Sequence, residues 1–485
     1  MLENDKGLYA AFNARDARFD GRYFVGISTT GIYCRPICGA RQAKEENCTF
    51  FRTAAEAEQA GYRPCLLCRP ELAPGTSIAD ATANLVYRAA RMLEENCGSG
   101  QSLDVLAGRL GCTDRHLRRV FTAEYNVTPI EYLQTCRLLL AKNLLTDTDL
   151  SVLEVAMASG FGSLRRFNDL FKKHYNLSPT GLRKNNLHKQ QQDNITINLG
   201  YRPPYLWKEM LDFFKERAIT GVEIVKDDKY MRTVRMTTIS GQQLYGWLQV
   251  GHNEKKNVLT VTVCEPLLPV LPQVLARVRH LFDLHSDPHV IYDGLASMNE
   301  IRSGLCVLGT RVPGCFDTFE MSVRSVLGQQ ITVKAASTLA ARIVETYGTP
   351  VQTGIEGLTH VFPSPEDILA LKGSISDHLG PLGVISTRSQ IILALARALV
   401  QGDIDLDLPE DPEDEMKKLM SIRGIGSWTA QYIAMRSMEW PDAFLETDVG
   451  VKKSLPEYSP KELLDMAEAW RPWRSYATIN LWNSL

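Results

Sequence analysis

The chain has 485 residues, of which 44% are hydrophobic and 23% charged, and its formal net charge is −2. This composition is typical of globular proteins and excludes a mainly disordered chain. The N-terminus lacks the apolar core of a signal peptide, and no uninterrupted apolar run approaches about 18 residues. We therefore expect a cytoplasmic protein with no membrane partner.

Charge is distributed unevenly along the chain. Residues 1–189 contain 25 Lys and Arg against 20 Asp and Glu, whereas the remainder contains 29 against 36. A basic front half suits a nucleic-acid partner. The acidic rear half requires an argument from its motifs.

Four cysteines lie within the first 70 residues, as a C-x3-C pair followed by a C-x2-C pair. Thiolates are preferred zinc ligands, and four of them complete a tetrahedral shell in a protein kept reduced. The spacing predicts one Zn²⁺ held by Cys34, Cys38, Cys65 and Cys68.

The sequences that contain these cysteines, GIYCRPIC (residues 31–38) and GYRPCLLC (residues 61–68), resemble the metal-binding domain of Ada, the bacterial adaptive-response protein. The resemblance implies a zinc domain over residues 1–76, in which Cys34 accepts a methyl group from a DNA phosphotriester and Arg41 contacts the DNA backbone. Loss of one thiolate charge would then switch DNA binding. A purely structural zinc site is the alternative.

Helical periodicity extends from about residue 78 to residue 184. Within it, a support helix, a glycine, an N-cap candidate and an arginine-bearing helix follow one another twice, at residues 103–121 and 152–171. The repeat resembles the AraC-type DNA-binding domain, which implies a domain over residues 77–184. A plain helical bundle with solvated arginines is the alternative.

The same resemblance implies two recognition helices, near Asp114–Phe121 and Ser163–Phe171, lying in the major groove of promoter DNA. The side chains expected to contact DNA are Arg115, Arg118, Arg119, Arg165 and Arg166.

A polar linker is expected at residues 185–194, and residues 195–265 then alternate between apolar and polar as β-strands do. We predict an antiparallel sheet subdomain over residues 195–268 and a helical domain over residues 269–485. The phrase LMSIRGIGSWTA (residues 419–430) is typical of a helix-hairpin-helix. There Gly424 and Gly426 would let backbone N–H groups approach a DNA phosphate.

Asp448 follows Gly426 by 22 residues, and WRPWRSYA occupies residues 470–477. With these features, residues 195–485 resemble the 3-methyladenine DNA glycosylase II (AlkA) family. The resemblance implies that Asp448 stabilises an oxocarbenium-like sugar. It also implies that Trp428, Tyr432 and Trp482 hold a flipped, cationic base.

Carbonyls around Met420, Ile422 and Arg423–Ile425 would hold a monovalent cation in this family. Gln330 stands where an apolar wedge is expected, and we expect it to contact DNA. Trp428 occupies the position of the nucleophilic lysine of strand-cutting relatives, and no cysteine follows Cys315 to bind an iron–sulfur cluster. A monofunctional hydrolase is therefore favoured.

We predict a multidomain, mainly α protein with α+β parts. It comprises a four-cysteine zinc domain, an all-α double helix-turn-helix domain, an antiparallel β-sheet subdomain and a helix-hairpin-helix glycosylase core. The predicted function is repair of alkylated DNA combined with transcription activation, with double-stranded DNA and RNA polymerase as partners. We expect a nucleoid-associated monomer. The Pro-Cys-His-Arg phrase of O6-methylguanine methyltransferases is absent, so that activity is not predicted.

Two alternatives stay open. The rear half could bind damaged DNA without catalysis, which would make the chain a transcription factor. Conversely, the front half could serve only to localise a glycosylase on DNA.

Overall fold

A computed structural model describes residues 5–74, 85–98, 101–184 and 194–485. The described chain divides into two compact units. The first comprises residues 1–203, 236–244 and 252–276, and the second comprises residues 204–235, 245–251 and 277–485. The predicted linker, residues 185–194, lies outside the described residues except for Asn194. No helix in the described ranges is long and apolar enough to cross a membrane.

The N-terminal part of the first unit folds around a four-stranded sheet of order β3-β1-β2-β4. Its central strand β1 is buried along its whole length, because aromatic clusters built on Tyr23 and Phe50 and on Phe24 and Phe51 cover it. The elements are α1 (Asp5–Asn13), β1 (Phe24–Ile27), β2 (Ile32–Cys34), β3 (Cys48–Phe51), α2 (Ala54–Gln59) and β4 (Arg63–Pro64).

The described residues that follow form seven helices: α3 (Leu85–Glu95), α4 (Leu103–Arg109), α5 (Asp114–Tyr125), α6 (Pro129–Asp147), α7 (Val152–Ala158), α8 (Leu164–Tyr175) and α9 (Pro179–Lys184). The pairs α4–α5 and α7–α8 form the two predicted helix-turn-helix repeats. Thr113 and Ser163 cap the second helix of each pair, and Asn126 and Asn176 end these helices in the left-handed conformation.

Both recognition helices are about one turn longer than predicted. The reason is that Tyr125 and Tyr175 continue the apolar face, stacking edge-on against Phe121 and Phe171 respectively. Ser163 precedes its helix as the N-cap instead of being part of it.

A five-stranded sheet has the order β5-β9-β8-β7-β6. Its pairs β5–β9 and β6–β7 are antiparallel. The strands are β5 (Asn194–Gly200), β6 (Glu223–Lys226), β7 (Lys229–Thr237), β8 (Gln243–Asn253) and β9 (Val258–Cys264).

The prediction of strands throughout residues 195–265 is wrong between β5 and β6, where the chain forms α10 (Trp207–Arg217). Trp207, Met210, Leu211 and Phe214 recur at helical spacing and are buried. This i, i+3, i+4, i+7 pattern outweighs the strand-like residues on either side.

The remainder is helical apart from a small pair of strands, as predicted. The elements are α11 (Leu271–Leu281), α12 (Pro288–Gly294), α13 (Met298–Ile301), α14 (Thr318–Leu327), α15 (Val333–Tyr347), β10 (Thr349–Pro350), β11 (His360–Val361), α16 (Pro365–Leu369), α17 (Ile375–Leu379), α18 (Ser386–Gln401), α19 (Pro412–Ser421), α20 (Ser427–Ser437), α21 (Val449–Ser454), α22 (Pro460–Ala467) and α23 (Arg474–Asn483). Helices α14, α18, α19 and α20 share one apolar core that includes Val326, Leu395, Leu419 and Ile433.

The hairpin between α19 and α20 requires glycine at one position. Gly424 has φ +101°, and a Cβ atom there would lie 2.6 Å from Cδ1 of Ile391. The close packing of this turn on α18 therefore excludes a larger residue.

A buried ionic network stabilises the second unit. The Glu223 carboxylate accepts hydrogen bonds from Arg324 (2.8 Å) and from the Tyr230 hydroxyl (2.6 Å). Glu320 bonds both Arg324 (2.9 Å) and Arg232 (2.6 Å). Burial opposes ionisation of Glu223, but Arg324 and Arg232 outweigh it and lower its pKa to about 2.

We expect Glu223→Gln to destabilise the second unit by roughly 3 kcal/mol at pH 7. Because the pKa of Glu223 is lowered in the folded state, its contribution is complete above the unfolded pKa near 4.5 and is lost as pH falls towards 2. Urea unfolding of the full chain at pH 7, 5 and 3, followed by tryptophan fluorescence, tests this. All seven tryptophans lie in the second unit. Glu216→Gln, at an exposed position, is the control, and a pH-independent difference would contradict the prediction.

Candidate functional site

The four cysteines of the zinc motif meet at one point. Their Sγ atoms all lie within 4.8 Å of one another. Parallel pairing of β2 with β4 places Tyr33 opposite Pro64, which brings the next residues, Cys34 and Cys65, together. Sulfurs about 2.3 Å from a tetrahedral zinc would be about 3.8 Å apart. The cluster therefore fits one Zn²⁺.

A buried arginine holds the two halves of this cluster together. Arg35 pairs with Asp20 through two hydrogen bonds, and its Nη1 donates to the Cys68 carbonyl at 3.2 Å. Its backbone N–H donates to Cys68 Sγ at 3.3 Å. Sequence reasoning missed this role because Asp20 lies far from the motif. The predicted DNA contact Arg41 is exposed.

The recognition helices differ in how free their arginines are. Arg118 is paired with Asp114 one turn earlier, at 2.9 Å, and Arg119 donates to His116 at 3.3 Å. The remaining predicted contacts have exposed side chains that no described residue binds: Arg115, Arg165 and Arg166. Both helices thus present exposed cationic side chains, and their contact with DNA stays a prediction.

Asp448 is the N-cap of α21, and four N–H groups converge on its carboxylate. Oδ1 accepts from the backbone of Gly450 (2.7 Å) and Val451 (3.2 Å) and from Trp482 Nε1 (2.8 Å). Oδ2 accepts from Trp428 Nε1 (3.1 Å). This arrangement orients the carboxylate and leaves lone-pair capacity on Oδ2.

Aromatic rings surround Asp448. Trp428 and Tyr432 stack with centroids 5.2 Å apart, and Tyr432 lies 6.3 Å from Trp482. Phe213 of α10 stacks on Trp482 at 6.3 Å and 18°. The three predicted base-pocket residues are therefore together and partly exposed. Phe213 was missed because α10 was expected to be a strand.

Two arginines complete this region. Arg217 lies 3.8 Å above the Phe213 ring, and Arg436 donates to the Tyr432 hydroxyl at 2.8 Å. Burial acts to raise the pKa of Tyr432, but the positive charges of Arg436 and Arg217 outweigh it and lower that pKa. Neither arginine belongs to a motif that the sequence displays.

The hairpin presents backbone donors beside this pocket. Gly426, the N-cap of α20, has no capping side chain, so the first N–H groups of α20 are available to a phosphate. The Gly424 carbonyl, one of the predicted cation ligands, accepts from Gln329 Nε2 at 3.1 Å. Gln330 is exposed and has φ +57°, a left-handed backbone that a non-glycine residue seldom adopts.

Four family models match successive parts of the chain. They are the metal binding domain of Ada (residues 7–71), a helix-turn-helix domain (106–185), the AlkA N-terminal domain (196–317) and the HhH-GPD superfamily of base excision DNA repair proteins (323–462). The limits of the segments predicted above stay predictions.

The chain is 34% identical to the probable bifunctional transcriptional activator/DNA repair enzyme AlkA of Mycobacterium tuberculosis (strain CDC 1551 / Oshkosh), over 100% of this chain and 97% of the relative. It belongs to this family of AlkA-type bifunctional activators and repair enzymes. It is also 34% identical to DNA-3-methyladenine glycosylase 2 of Escherichia coli (strain K12), over 59% of this chain and 95% of that protein. Its match to Ada of the same organism is 38% identical, over 26% of this chain and 34% of Ada.

Membership of the family confirms the predicted combination of parts. The chain is a DNA repair protein in which a zinc-binding Ada-type domain and a helix-turn-helix regulator precede a base-excision glycosylase of the helix-hairpin-helix superfamily. The roles of the individual site residues stay predictions.

We expect Trp428→Phe to slow release of alkylated bases by about tenfold or more. The phenyl ring can still stack on Tyr432, but the hydrogen bond to the Asp448 carboxylate is lost, and such charge-assisted bonds contribute about 1.5–3 kcal/mol. Single-turnover release from methylated duplex DNA measures the effect, with binding to an abasic-site duplex as the folding check. Trp440→Phe is the matched control, since no bond from its indole to a carboxylate is described. Equal rates in wild type and Trp428→Phe would contradict this function of the indole N–H.

Proposed function

We propose that the chain hydrolyses the N-glycosidic bond of alkylated purines of the 3-methyladenine type in double-stranded DNA. The observation that carries this proposal is the Asp448 carboxylate, fixed by four N–H donors between Trp428 and Trp482. A base with a positive charge is held by electron-rich rings and leaves without prior protonation. One oriented carboxylate is then sufficient to stabilise the sugar cation.

The reaction balances without a cofactor. The C1′–N bond breaks with its electron pair going to the cationic base, which departs neutral. Water adds to C1′, and its proton passes through Asp448 to solvent. Because Trp428 stands where a lysine nucleophile would be needed, no covalent intermediate forms and the strand is left uncut.

Phosphate contact in this acidic half depends on the backbone. Trp428 is the second residue of α20, so a phosphate bound to the uncapped N–H groups at the start of this helix would be next to the aromatic pocket. Gln330 would fill the gap that the flipped nucleotide leaves.

Replacement of Asp448 by Asn should abolish release of 3-methyladenine, by at least about 100-fold, because the sugar cation loses its counter-charge. Asn still caps α21, so affinity for an abasic-site duplex should be retained. Chromatography of free bases released from methylated DNA measures the activity, and Asp465→Asn, at an exposed position of α22, is the control. Wild-type protein without base release would favour the alternative of a damage-binding transcription factor.

We further propose that the zinc domain takes a methyl group from DNA methylphosphotriesters. The methyl C–O bond breaks, its electron pair stays on the phosphate oxygen, and an S–C bond forms at Cys34. Bound Zn²⁺ would keep the four sulfurs deprotonated at neutral pH. The transfer leaves a stable thioether, so each chain acts once.

Hydrogen bonding supports Cys34 as the acceptor. Cys68 is the most exposed of the four ligands, but its sulfur accepts the Arg35 N–H, which reduces nucleophilicity. Cys34 is buried, and no backbone donor to its sulfur is present among the described residues. Exposed Arg41 supports contact of this domain with the phosphate backbone.

Methylation would remove one negative charge from a surface facing phosphates, and so increase DNA affinity. With the two recognition helices, this switch would activate transcription through contact with RNA polymerase. We propose that the protein acts on the nucleoid as a monomer.

Peptide mapping by mass spectrometry, after incubation of wild type with methylphosphotriester DNA, should find the methyl group on Cys34 alone. Cys34→Ser should take up none, whereas Arg41→Gln should be methylated more slowly but completely. Zinc content of each protein checks that the cluster is formed. A methyl group found on Cys68 would show that exposure and not hydrogen bonding selects the acceptor. Absence of any uptake would leave a structural zinc site and a front half that only localises the glycosylase.

A further inference from the structure

The short helix α2 of the zinc domain carries two buried glutamates, Glu56 and Glu58. Buried carboxylates are costly unless several donors satisfy them. Both glutamates accept hydrogen bonds from donors within the zinc domain and from donors outside it. Each glutamate contacts the C-terminal end of a different recognition helix.

Glu58 contacts the end of α8. Its Oε1 accepts from the hydroxyl of Tyr33, the residue before Cys34, at 3.1 Å. Its Oε2 accepts from Thr135 of α6 at 3.3 Å and lies 3.6 Å from His174 Nδ1 of α8. On its other side, His174 Nε2 lies 3.1 Å from the Gln134 amide. A single carboxylate thus joins the strand of the methyl-acceptor cysteine to the second recognition helix.

Glu56 makes the equivalent connection to α5. Its Oε1 accepts from the side-chain amide of Asn126, the residue that ends α5, at 3.1 Å. Its Oε2 accepts from the backbone of Arg52 at 2.9 Å, and the Arg52 side chain pairs with Glu124 on the last turn of α5. The first recognition helix is therefore tied to the same six-residue segment as the second.

A third connection holds α6, the helix between the two repeats. Arg69 follows the zinc ligand Cys68 and donates to Asp147 at 2.8 Å and to Asn143 at 3.0 Å. Glu71 pairs with both Arg69 and buried Lys142. The zinc loop is thereby fixed to α6 independently of α2.

We propose that α2 is a brace that sets the distance and orientation between the two recognition helices, with Glu56 and Glu58 as positioning residues for promoter reading. Two recognition helices read one DNA face only if their separation matches the helical repeat of about 10 base pairs. Helix ends joined to one rigid segment cannot vary this separation independently. The zinc domain therefore determines which spacing of half-sites the regulator accepts.

The contacts of Glu58 with Tyr33 and His174 also connect Cys34, the proposed methyl acceptor, to the recognition helix α8. Tyr33 and Cys34 are consecutive on β2, so a change at Cys34 reaches Glu58 through one hydrogen bond. The buried hydroxyl of Tyr175, at the end of α8, has no hydrogen-bond partner among the described residues. An unsatisfied hydroxyl of this kind allows a second hydrogen-bond arrangement of the groups around Glu58. This part of the inference rests on the proposed methyl transfer to Cys34.

The proposed brace is tested by measuring how strongly DNA binding depends on the spacing between the two half-sites. A duplex that the wild-type chain selects from a random pool is compared with the same duplex carrying one inserted base pair between the half-sites. We expect the insertion to weaken wild-type binding about tenfold and to weaken Glu56→Gln or Glu58→Gln binding by less than about threefold. Affinity for unrelated DNA should not change, because the exposed arginines are untouched. Glu46→Gln, at an exposed position of the same domain, is the matched control.

Two milder variants remove the same contacts by changing the residues that bind Glu56 and Glu58. They serve if the substitutions at the buried glutamates prevent folding. Asn126→Gly keeps the left-handed end of α5 and removes the amide, and His174→Gln changes a partly exposed side chain. Zinc content and the rate of base release verify that each protein is folded. An insertion penalty as large as that of wild type in all four variants would overturn the proposal.

A second experiment compares the insertion penalty before and after methylation of the protein. Its possible outcomes separate failure of the proposed methyl transfer from failure of the brace. Treatment with methylphosphotriester DNA should change the insertion penalty of wild type and leave that of Glu58→Gln unchanged. If no cysteine is methylated, the proposed transfer fails, while the spacing result in untreated protein still decides the brace. If Cys34 is methylated and the penalty of wild type does not move, the route through Tyr33 is refuted.

Discussion

The indole N–H groups of Trp428 and Trp482 reach the two oxygens of Asp448 from helices α20 and α23. These two hydrogen bonds hold the carboxylate in a fixed position relative to the aromatic walls of the pocket. Close packing reinforces it, since a Cβ atom on Gly450 would lie 2.7 Å from Trp482. Under the proposed function, the chemistry of the rear half depends on a residue that also caps a helix, and the cap fixes the position of its carboxylate.

Under the predicted contacts, the two halves would hold DNA by different electrostatic means, in keeping with their opposite net charges. The front half would use the exposed arginine side chains on α5 and α8, whose long-range attraction is sensitive to salt. The rear half is acidic, and it presents the uncapped N–H groups of α20 at one point. Backbone donors bind a phosphate without attracting the whole duplex, so an acidic surface is compatible with a precise contact.

Local spacing made most of the parts predictable. The cysteines, the glycine and cap residues of both repeats, and the hairpin with Asp448 after it are short-range patterns, and the structure brings each set together. Long-range polar pairing could not be predicted. Asp20 with Arg35, and Glu58 with Thr135, are distant in sequence, and any other buried carboxylate could have satisfied the same donors. The helix α10 was missed because its apolar spacing was hidden between strand-like segments, and Phe213 and Arg217 were missed with it.

Under the proposed function, the two repair sites recognise one electrostatic change in different chemical settings. Methylation of a phosphate removes a negative charge, and methylation of a purine ring nitrogen adds a positive one. Both lesions are therefore one unit more positive than intact DNA. Four thiolates around a divalent ion leave a net negative cluster, and the ring faces of Trp428 and Tyr432 beside Asp448 form a second electron-rich site. Intact DNA is disfavoured at both sites by the same physics, because its phosphates repel the thiolates and its neutral bases gain little from the rings. The first discrimination at both sites therefore rests on charge, although methyl transfer to Cys34 also requires its sulfur to contact the methyl carbon. One chain can thus respond to lesions that share no shape.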